Sequence, residues 1–306
     1  MKISNPMLIS IVIPTYSRRI NMAVENATAI AKRLRDVIRF EILIVDSSET
    51  SYSESLCDEI RYINLDYKVD NLLTRKRNLG FLKSSGKKVI FIDDDVVVDH
   101  EFLHLVIKSE LKGTILCGNI YYPPELTKLN PLIMYKDMRH RQVHASFMVK
   151  QSLAFNNFVA MCFAIAREDV FLFDESFNRY GCEDLDYGMR LEQKGIRILL
   201  AESSTCLHLE ESVKLDEYKK KLYNTSRYMF PIFDSKYNFL NRPQKISIYC
   251  IGIVSIICNQ VLLKAFDFVL QKRWFRLFHL YQYIVFAEGY TASKLHLNKK
   301  DNNEFI

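Results

Sequence analysis

A chain of 306 residues that is 49% hydrophobic and 25% charged can fill one large α/β core or two smaller ones, which excludes a disordered or fibrous polypeptide. The formal net charge of +6 is uneven, because residues 214–306 hold 15 Lys and Arg against 7 Asp and Glu while the remainder is slightly acidic. Those cations are interleaved with long apolar stretches and not with any nucleic-acid-binding motif, so a membrane surface fits the tail better than a nucleic acid. Seven cysteines, scattered and without a C-x-x-C pair, argue against a disulfide framework or a zinc site and suit a reducing cytosol. The opening residues run straight from Asn5-Pro6 into Leu8 to Ile13, too short and too strand-like for a secretory signal.

Residues 8–14 read as a strand ending at Pro14. Ile20, Ala23, Val24, Ala27, Ile30, Ala31 and Leu34 then keep the spacing of one helical face. A second strand, Phe40 to Val45, ends at Asp46 in the turn Asp46-Ser47-Ser48. A short helix, a strand near Tyr62 to Leu65 and a helix from Thr74 to Ser85, stopped by Gly86, lead to the apolar run Val89 to Ile92. This alternation implies an α/β fold with a largely parallel, doubly wound sheet and right-handed crossovers. A helix near Glu101 to Leu111 and a strand near Ile115 to Ile120 follow, and Tyr121 to Ser152 reads as loop and irregular structure over a site.

The fourth strand runs directly into Asp93-Asp94-Asp95. Three adjacent carboxylates at the end of a buried strand repel one another unless a cation sits among them, and hard oxygen ligands suit Mg²⁺ or Mn²⁺ holding a phosphate. Dinucleotide and P-loop signatures do not fit, since no G-x-G-x-x-G follows the first strand and Lys88 stands where a P-loop needs Ser or Thr. Four apolar residues followed by Asp93, Asp95, Val97 and Val98 resemble in part the first motif of haloacid-dehalogenase-like phosphatases, which would make Asp93 a nucleophile; that family's later Gly-Asp acidic motif has no counterpart. A second constellation, Gly181-Cys182-Glu183-Asp184-Leu185-Asp186, opens a helix that Gly195 closes. After Phe173-Asp174-Glu175-Ser176-Phe177 and the tight Tyr180-Gly181 turn, Glu183 and Asp184 would project into a cleft, where a carboxylate can take a proton from an acceptor hydroxyl.

Taken in order, Ser10-Ile11-Val12-Ile13-Pro14-Thr15-Tyr16, Asp46, Arg77-Asn78-Leu79-Gly80, Asp93-Asp94-Asp95, the block from Phe173 to Gly195, and His208 resemble the inverting glycosyltransferases of family 2, with their nucleotide-sugar-binding GT-A fold. The last block is similar to the Glu-Asp motif of galactosyl-, N-acetylgalactosaminyl- and chondroitin-type members. The resemblance implies that Pro14, Thr15, Tyr16 and Asp46 hold the base and ribose of a nucleotide-sugar donor, a UDP-sugar, with Arg77 near the phosphates. It further implies that Asp93 and Asp94 face the donor, that Asp93, Asp95 and His208 ligate Mn²⁺ or Mg²⁺, that Glu183 binds hydroxyls and that Asp184 is the base. Ser47-Ser48 stands where many members have Asp-Gly, so base or sugar contacts differ there. A non-catalytic nucleotide-binding scaffold is the remaining alternative.

The resemblance covers about residues 8–212, which divides the chain into a GT-A catalytic domain, 1–212, and a basic, apolar helical tail, 213–306. Ile246 to Leu263 holds no charged residue and sits at the lower limit of a spanning length, yet Ser247, Tyr249, Ser255, Asn259 and Gln260 make it polar for a span. The mixture Ala265 to Arg276 of aromatic, apolar and cationic groups is that of an interfacial helix. The expectation is attachment in the plane of the cytoplasmic membrane face, beside a glycan or lipid-linked acceptor, with packing on the catalytic domain or against a second subunit as a homodimer, and a transmembrane hairpin, as the alternatives.

Overall fold

The computed structural model describes residues 7–16, 19–48, 52, 56–65, 73–210 and 214–295, with side chains except those of residue 149 and residues 258–267. The chain divides into two compact units. One comprises Met1–Pro123, Arg139–Glu175 and Asp184–Glu210, and the other comprises Pro124–Met138, Ser176–Glu183 and Glu211–Ile306.

The first unit is built on one eight-stranded sheet. Its first half is the parallel arrangement that the alternating pattern implies: β3 (Ile60–Asn64), β2 (Arg39–Asp46), β1 (Leu8–Thr15) and β4 (Lys88–Ile92) lie side by side in that order. The second half is mixed. β7 (Cys162–Ala166) runs antiparallel to β4 and to β6 (Thr114–Tyr121), β8 (Arg197–His208) runs parallel to β6, and the two-residue β5 (Val96–Val97) pairs antiparallel with the end of β8.

Alternation along the strands sends side chains to two apolar layers. Ile9, Ile11, Ile13, Ile42, Ile44, Ile90 and Ile92 pack with Ala23, Ala27, Ile30 and Leu34 of α1 (Ile20–Leu34) and with Phe102 and Val106 of α3 (His100–Lys108). On the opposite face Val12, Leu43, Val45, Val89 and Phe91 pack with Phe163, Phe173, Tyr187 and Leu191. The α/β class read from the sequence therefore holds. The short helix expected between Asp46 and Tyr62 lies mostly outside the described residues.

One expectation is corrected. The segment Tyr121 to Ser152 is helical and not irregular, forming α4 (Pro124–Leu129) and α5 (Pro131–Lys150). Pro124 and Pro131 occupy first helical positions, where the missing N–H costs nothing, and the Asn130 side chain accepts from the Leu132 N–H at 2.9 Å. The helical period is blurred because the buried residues of α5, Leu132, Ile133, Tyr135, Asp137 and Phe147, follow no single face.

The second unit is helical. It contains α7 (Leu215–Asn224), a π-helical turn (Thr225–Met229), α8 (Phe230–Tyr237), α9 (Arg242–Gln271) and α10 (Phe275–Lys294). Its core gathers Leu132, Tyr135, Val269, Leu270, Phe278, Tyr281 and Val285. Asn241 and Gln244 close a capping box at the start of α9. Among the described residues no helix is long and apolar enough to cross a membrane.

Helix α2 (Leu73–Lys83) reaches the sheet through Gly80, where an added Cβ would stand 2.3 Å from Val12 Cγ1 and 3.2 Å from Val45 Cγ2. Gly80→Ala should lower the unfolding free energy by about 1–3 kcal/mol, because the β-branched neighbours have little room to yield. Urea denaturation with an unchanged slope checks it; a midpoint equal to that of the parent would show that α2 shifts freely.

Candidate active site

The parallel register brings the C-terminal ends of β1, β2 and β4 to one edge, with Thr15 opposite Asp46 and Val12 opposite Phe91. Past β4 the chain makes a tight turn in which the Val96 N–H donates to the Asp93 carbonyl at 3.0 Å. The turn splays the three acids, so Asp93 meets α2 while Asp94 and Asp95 share Arg19 and add Thr15 and His208 respectively.

Asp93 meets α2. Arg77, buried, donates from Nη2 to Asp93 Oδ1 at 2.9 Å, and its Nη1 lies 3.8 Å from Asp184 Oδ1. The guanidinium lies over the Phe173 ring at 5.2 Å. Its neighbour Asn78 fixes that ring: the amide donates to the Phe173 carbonyl at 3.0 Å and accepts from the Phe173 N–H at 2.8 Å. Burial pushes the Asp93 carboxyl up to about 6, against the pull of Arg77 and with a further push from Asp95.

Asp94 accepts from Thr15 Oγ1 at 2.8 Å and from Arg19 Nη1 at 3.0 Å. Burial and Asp95 raise its carboxyl, with Arg19 and Thr15 opposing. Asp95 faces both Arg19 and His208, whose Nε2 lies 3.2 Å from Asp95 Oδ2. Burial acts upward on Asp95, but the hydrogen bond and charge of His208 together with Arg19 outweigh it and bring the group down to about 2. The approach of His208 follows from strand pairing. Val96 of β5 stands opposite His208 of β8, and the Leu209 N–H donates to the Asp95 carbonyl at 2.7 Å.

The residues expected on the base side lie at the same edge. Asp46 is fully buried and accepts from the Ser48 N–H at 3.1 Å, the Ser48 hydroxyl at 2.7 Å and the Tyr62 hydroxyl at 2.7 Å. A carboxylate offers about four lone-pair positions, so roughly one remains for a ligand. Pro14 pairs with Val45 and lies past the last β1–β4 pairing, where its missing N–H breaks no ladder bond to β4. Lys76 is buried between the strand ends, donating to the Thr15 carbonyl at 2.7 Å and to Ser47 Oγ at 3.0 Å, with Nζ 5.6 Å from the Tyr16 ring centroid. Burial brings its ammonium down to about 8, although Asp46 and Asp94 resist.

α6 (Glu183–Gln193) carries the second constellation. Gly181, at φ 103°, makes the preceding turn, and its N–H donates to Glu183 Oε2 at 3.0 Å. Glu183 is thereby turned back on its own loop, whereas Asp184 faces Arg77. Asp186 is wholly buried and holds Arg190, which lies over the Phe171 and Tyr187 rings. Gly195, at φ 69°, closes the helix as expected: its N–H reaches Glu192 O at 3.0 Å and the Ile196 N–H reaches Leu191 O at 3.0 Å, a Schellman pair.

Two contributors were not singled out from the sequence. Arg19 gave no signal beyond a basic pair after the first strand, and Lys76 looked like an ordinary surface lysine of a helix. Both are legible only once the strand ends are superposed.

A divalent cation fits part of this set. Ligands about 2.1 Å from an octahedral ion stand roughly 3 Å apart, which the 3.2 Å Asp95–His208 pair satisfies. His208 Nδ1 is buried without a hydrogen-bond partner, and an oxygen–imidazole pair suits Mn²⁺. Among the described residues no group of three or more His, Cys, Asp or Glu side chains is gathered for an ion, so protein alone would supply only part of the coordination.

Comparison with known proteins decides the family. The profile described as Glycosyl transferase family 2 matches residues 10–171, more than half of the chain. The chain belongs to glycosyl transferase family 2. It is similar to an uncharacterized glycosyltransferase of Rickettsia bellii, 31% identical over 37% of this chain and 16% of that protein. It is likewise similar to one of Rickettsia conorii, 29% identical over 40% of this chain and 20% of that protein. The matches thus span at most about a fifth of these curated relatives. Among solved structures, GalNAc-T7 with UDP, GalNAc and Mn²⁺ aligns at a TM-score of 0.48 and 15% identity over 67% of this chain and 44% of that one. TarS 1-349 of S. aureus aligns at 0.45 and 13% identity over 96% and 93%. The α/β architecture is the GT-A fold expected of family 2, and membership favours the transferase over the phosphatase resemblance. The family match ends at residue 171, so Asp184 and His208 stand on their geometry.

The raised Asp93 group has a consequence for stability. Between about pH 4 and 6 the unfolded chain has lost this proton while the folded protein keeps it, so stability falls as pH rises through that window, by at most about 3 kcal/mol. Asp93→Asn should flatten the fall; chemical denaturation at a series of pH values reads it, and parallel curves for the two proteins would refute the assignment.

Proposed function

We propose that this family 2 protein transfers a sugar from a nucleotide donor, a UDP-sugar, to a hydroxyl of a glycan or lipid-linked acceptor, inverting the anomeric centre to give a β-linkage in polysaccharide or glycoconjugate synthesis. The observation that carries the reading is that one buried guanidinium, Arg77, faces both an acid of the strand-end row, Asp93, and an acid of α6, Asp184. A single cation thereby ties the donor edge to the group that would handle the acceptor proton.

In the proposed reaction the acceptor oxygen attacks the anomeric carbon opposite the nucleotide. The new C–O bond forms as the bond to the diphosphate breaks, and the acceptor proton passes to the Asp184 carboxylate. Arg77 orients Asp184 and Asp93, and Glu183 binds a hydroxyl of one of the sugars. Asp46 accepts from the uracil N–H through its remaining lone pair, with Pro14, Thr15 and Tyr16 beside the base and ribose. Lys76 holds the ends of β1 and β2 in register behind them. Asp95 and His208, with Asp93 and Asp94 alongside, would hold Mn²⁺ or Mg²⁺, which would supply neutralisation of charge on the departing diphosphate. The lipid-linked acceptor and a peripheral place on the cytoplasmic membrane face are proposed from the basic, apolar tail.

Three variants test the roles. Asp184→Asn keeps the size and polarity of the side chain but removes the proton acceptor, so turnover should fall about 10²–10⁴-fold with UDP affinity nearly unchanged. Transfer within a few-fold of the parent, accompanied by a lower melting temperature, would make Asp184 structural. In titration calorimetry, Asp95→Ala should lose Mn²⁺-dependent UDP binding while remaining folded, and His208→Ala should weaken it less. Unchanged affinity in Asp95→Ala would remove the acid row from donor binding.

A further inference from the structure

The helical unit exposes an apolar stripe that its own packing does not use. In α9 the inward positions are Ile248, Gly252 and Ser255, all buried, with Gly252 so close to α10 that an added Cβ would stand 2.4 Å from the Ala287 carbonyl. Ser255 donates to buried Glu288 at 3.0 Å. Those contacts consume one face of the helix. On the other face Ile246, Ile253, Val254 and Ile257 are 56, 40, 58 and 77% exposed, at the spacing of a single helical row about 16 Å long.

α10 repeats the division. Phe278, Tyr281 and Val285 are buried, while Leu277, Leu280 and Tyr283 are 46, 54 and 40% exposed. Between the two helices lies a groove of about 300 Å³ lined by Cys250, Ile251, Val254, Ser255 and Ile284. Monomeric soluble proteins seldom leave apolar side chains so contiguous.

Charge identifies the occupant. Arg242 stands at one end of the exposed row, beside Lys245, which is paired with Asp234 at 3.0 Å, and Lys272, Arg273 and Arg276 gather at the far end of the two helices' connection next to exposed Trp274 and Phe268. An apolar face bounded by cations and an interfacial tryptophan matches a layer of hydrocarbon beneath anionic headgroups. A second copy of the chain would bring the same cations against themselves. Because α9 and α10 each bury one face and expose the other, the fit is to a surface and not to a span.

We propose that this face of α9 and α10 docks in the plane of an anionic lipid surface, with Ile246, Ile253, Val254, Ile257, Leu280 and Trp274 immersed at the acyl boundary and the groove at Cys250 taking a lipid chain. It deepens the membrane side of the proposed function without depending on the transfer chemistry.

Trp274 is the only tryptophan of the chain and reports on the face directly. With the full-length protein, vesicles of phosphatidylglycerol and phosphatidylcholine in equal parts should shift its emission to the blue, and lipids brominated on the acyl chain should quench it. Phosphatidylcholine alone should do so at least tenfold more weakly, and high salt should release part of the bound protein. The double variant Ile253→Asp with Val254→Asp changes only exposed side chains. It should keep its circular dichroism and UDP affinity yet bind the anionic vesicles at least tenfold more weakly. Equal binding by parent and variant, or an emission unmoved by anionic vesicles, would overturn the proposal. A concentration-dependent dimer in light scattering that the variant abolishes would likewise overturn it and assign the face to a second copy. Loss of UDP binding in the parent protein would sink the donor-site reading while leaving this one standing.

Discussion

Three adjacent carboxylates in one turn are tolerable only because donors from three other elements answer them. Arg77 comes from α2, Arg19 from the residues after β1, and His208 from the end of β8. Acids packed this closely would otherwise protonate or force the turn open. Burial acts upward on the row, and its members diverge: Asp93 stays raised against the pull of Arg77, while the contacts of Asp95 with His208 and Arg19 bring it down. The sheet topology exists in part to deliver them: β5, two residues long, has little packing of its own, but its pairing sets His208 beside Asp95.

The short run Arg77-Asn78-Leu79-Gly80 shows how one stretch of helix meets several demands. Arg77 compensates acids, Asn78 pins Phe173 beneath the guanidinium, and Gly80 admits the helix against Val12 and Val45. Only the first of these is electrostatic; the others are a satisfied buried amide and a steric allowance. The helical unit solves its close approaches by the same allowance, at Gly252 against α10 and at Gly289 against the turn at Tyr223 and Ser226.

Much of this was legible beforehand, for physical reasons. Short continuous apolar runs rich in β-branched residues mark β1, β2 and β4, and a triple acid at a strand end announces a site whatever the fold. Helix α5 was hidden because its buried positions change face and its charges dilute the period. The reversal of β7 was hidden because direction is set by which neighbour a strand meets, a property no local pattern encodes. Lys76 and Arg19 were hidden for a related reason. A cation distant in sequence from the acids it serves looks like any other surface charge, and only the register of Thr15 with Asp46 brings them together.

The margins of the sheet bear on whether strands of neighbouring molecules can pair with it. One border is the two-residue β5, too short to template a partner. The other is β3, whose Arg61 is held across the sheet by Glu41 and the Lys83 carbonyl, leaving a charge on the strand that a pairing neighbour would have to accommodate. Neither border invites the strand-upon-strand growth that leads to fibres. The apolar stripe of α9 and α10 is helical, its backbone amides already spent within the helix, and a surface of that kind can stick to a layer but cannot propagate itself through main-chain bonds.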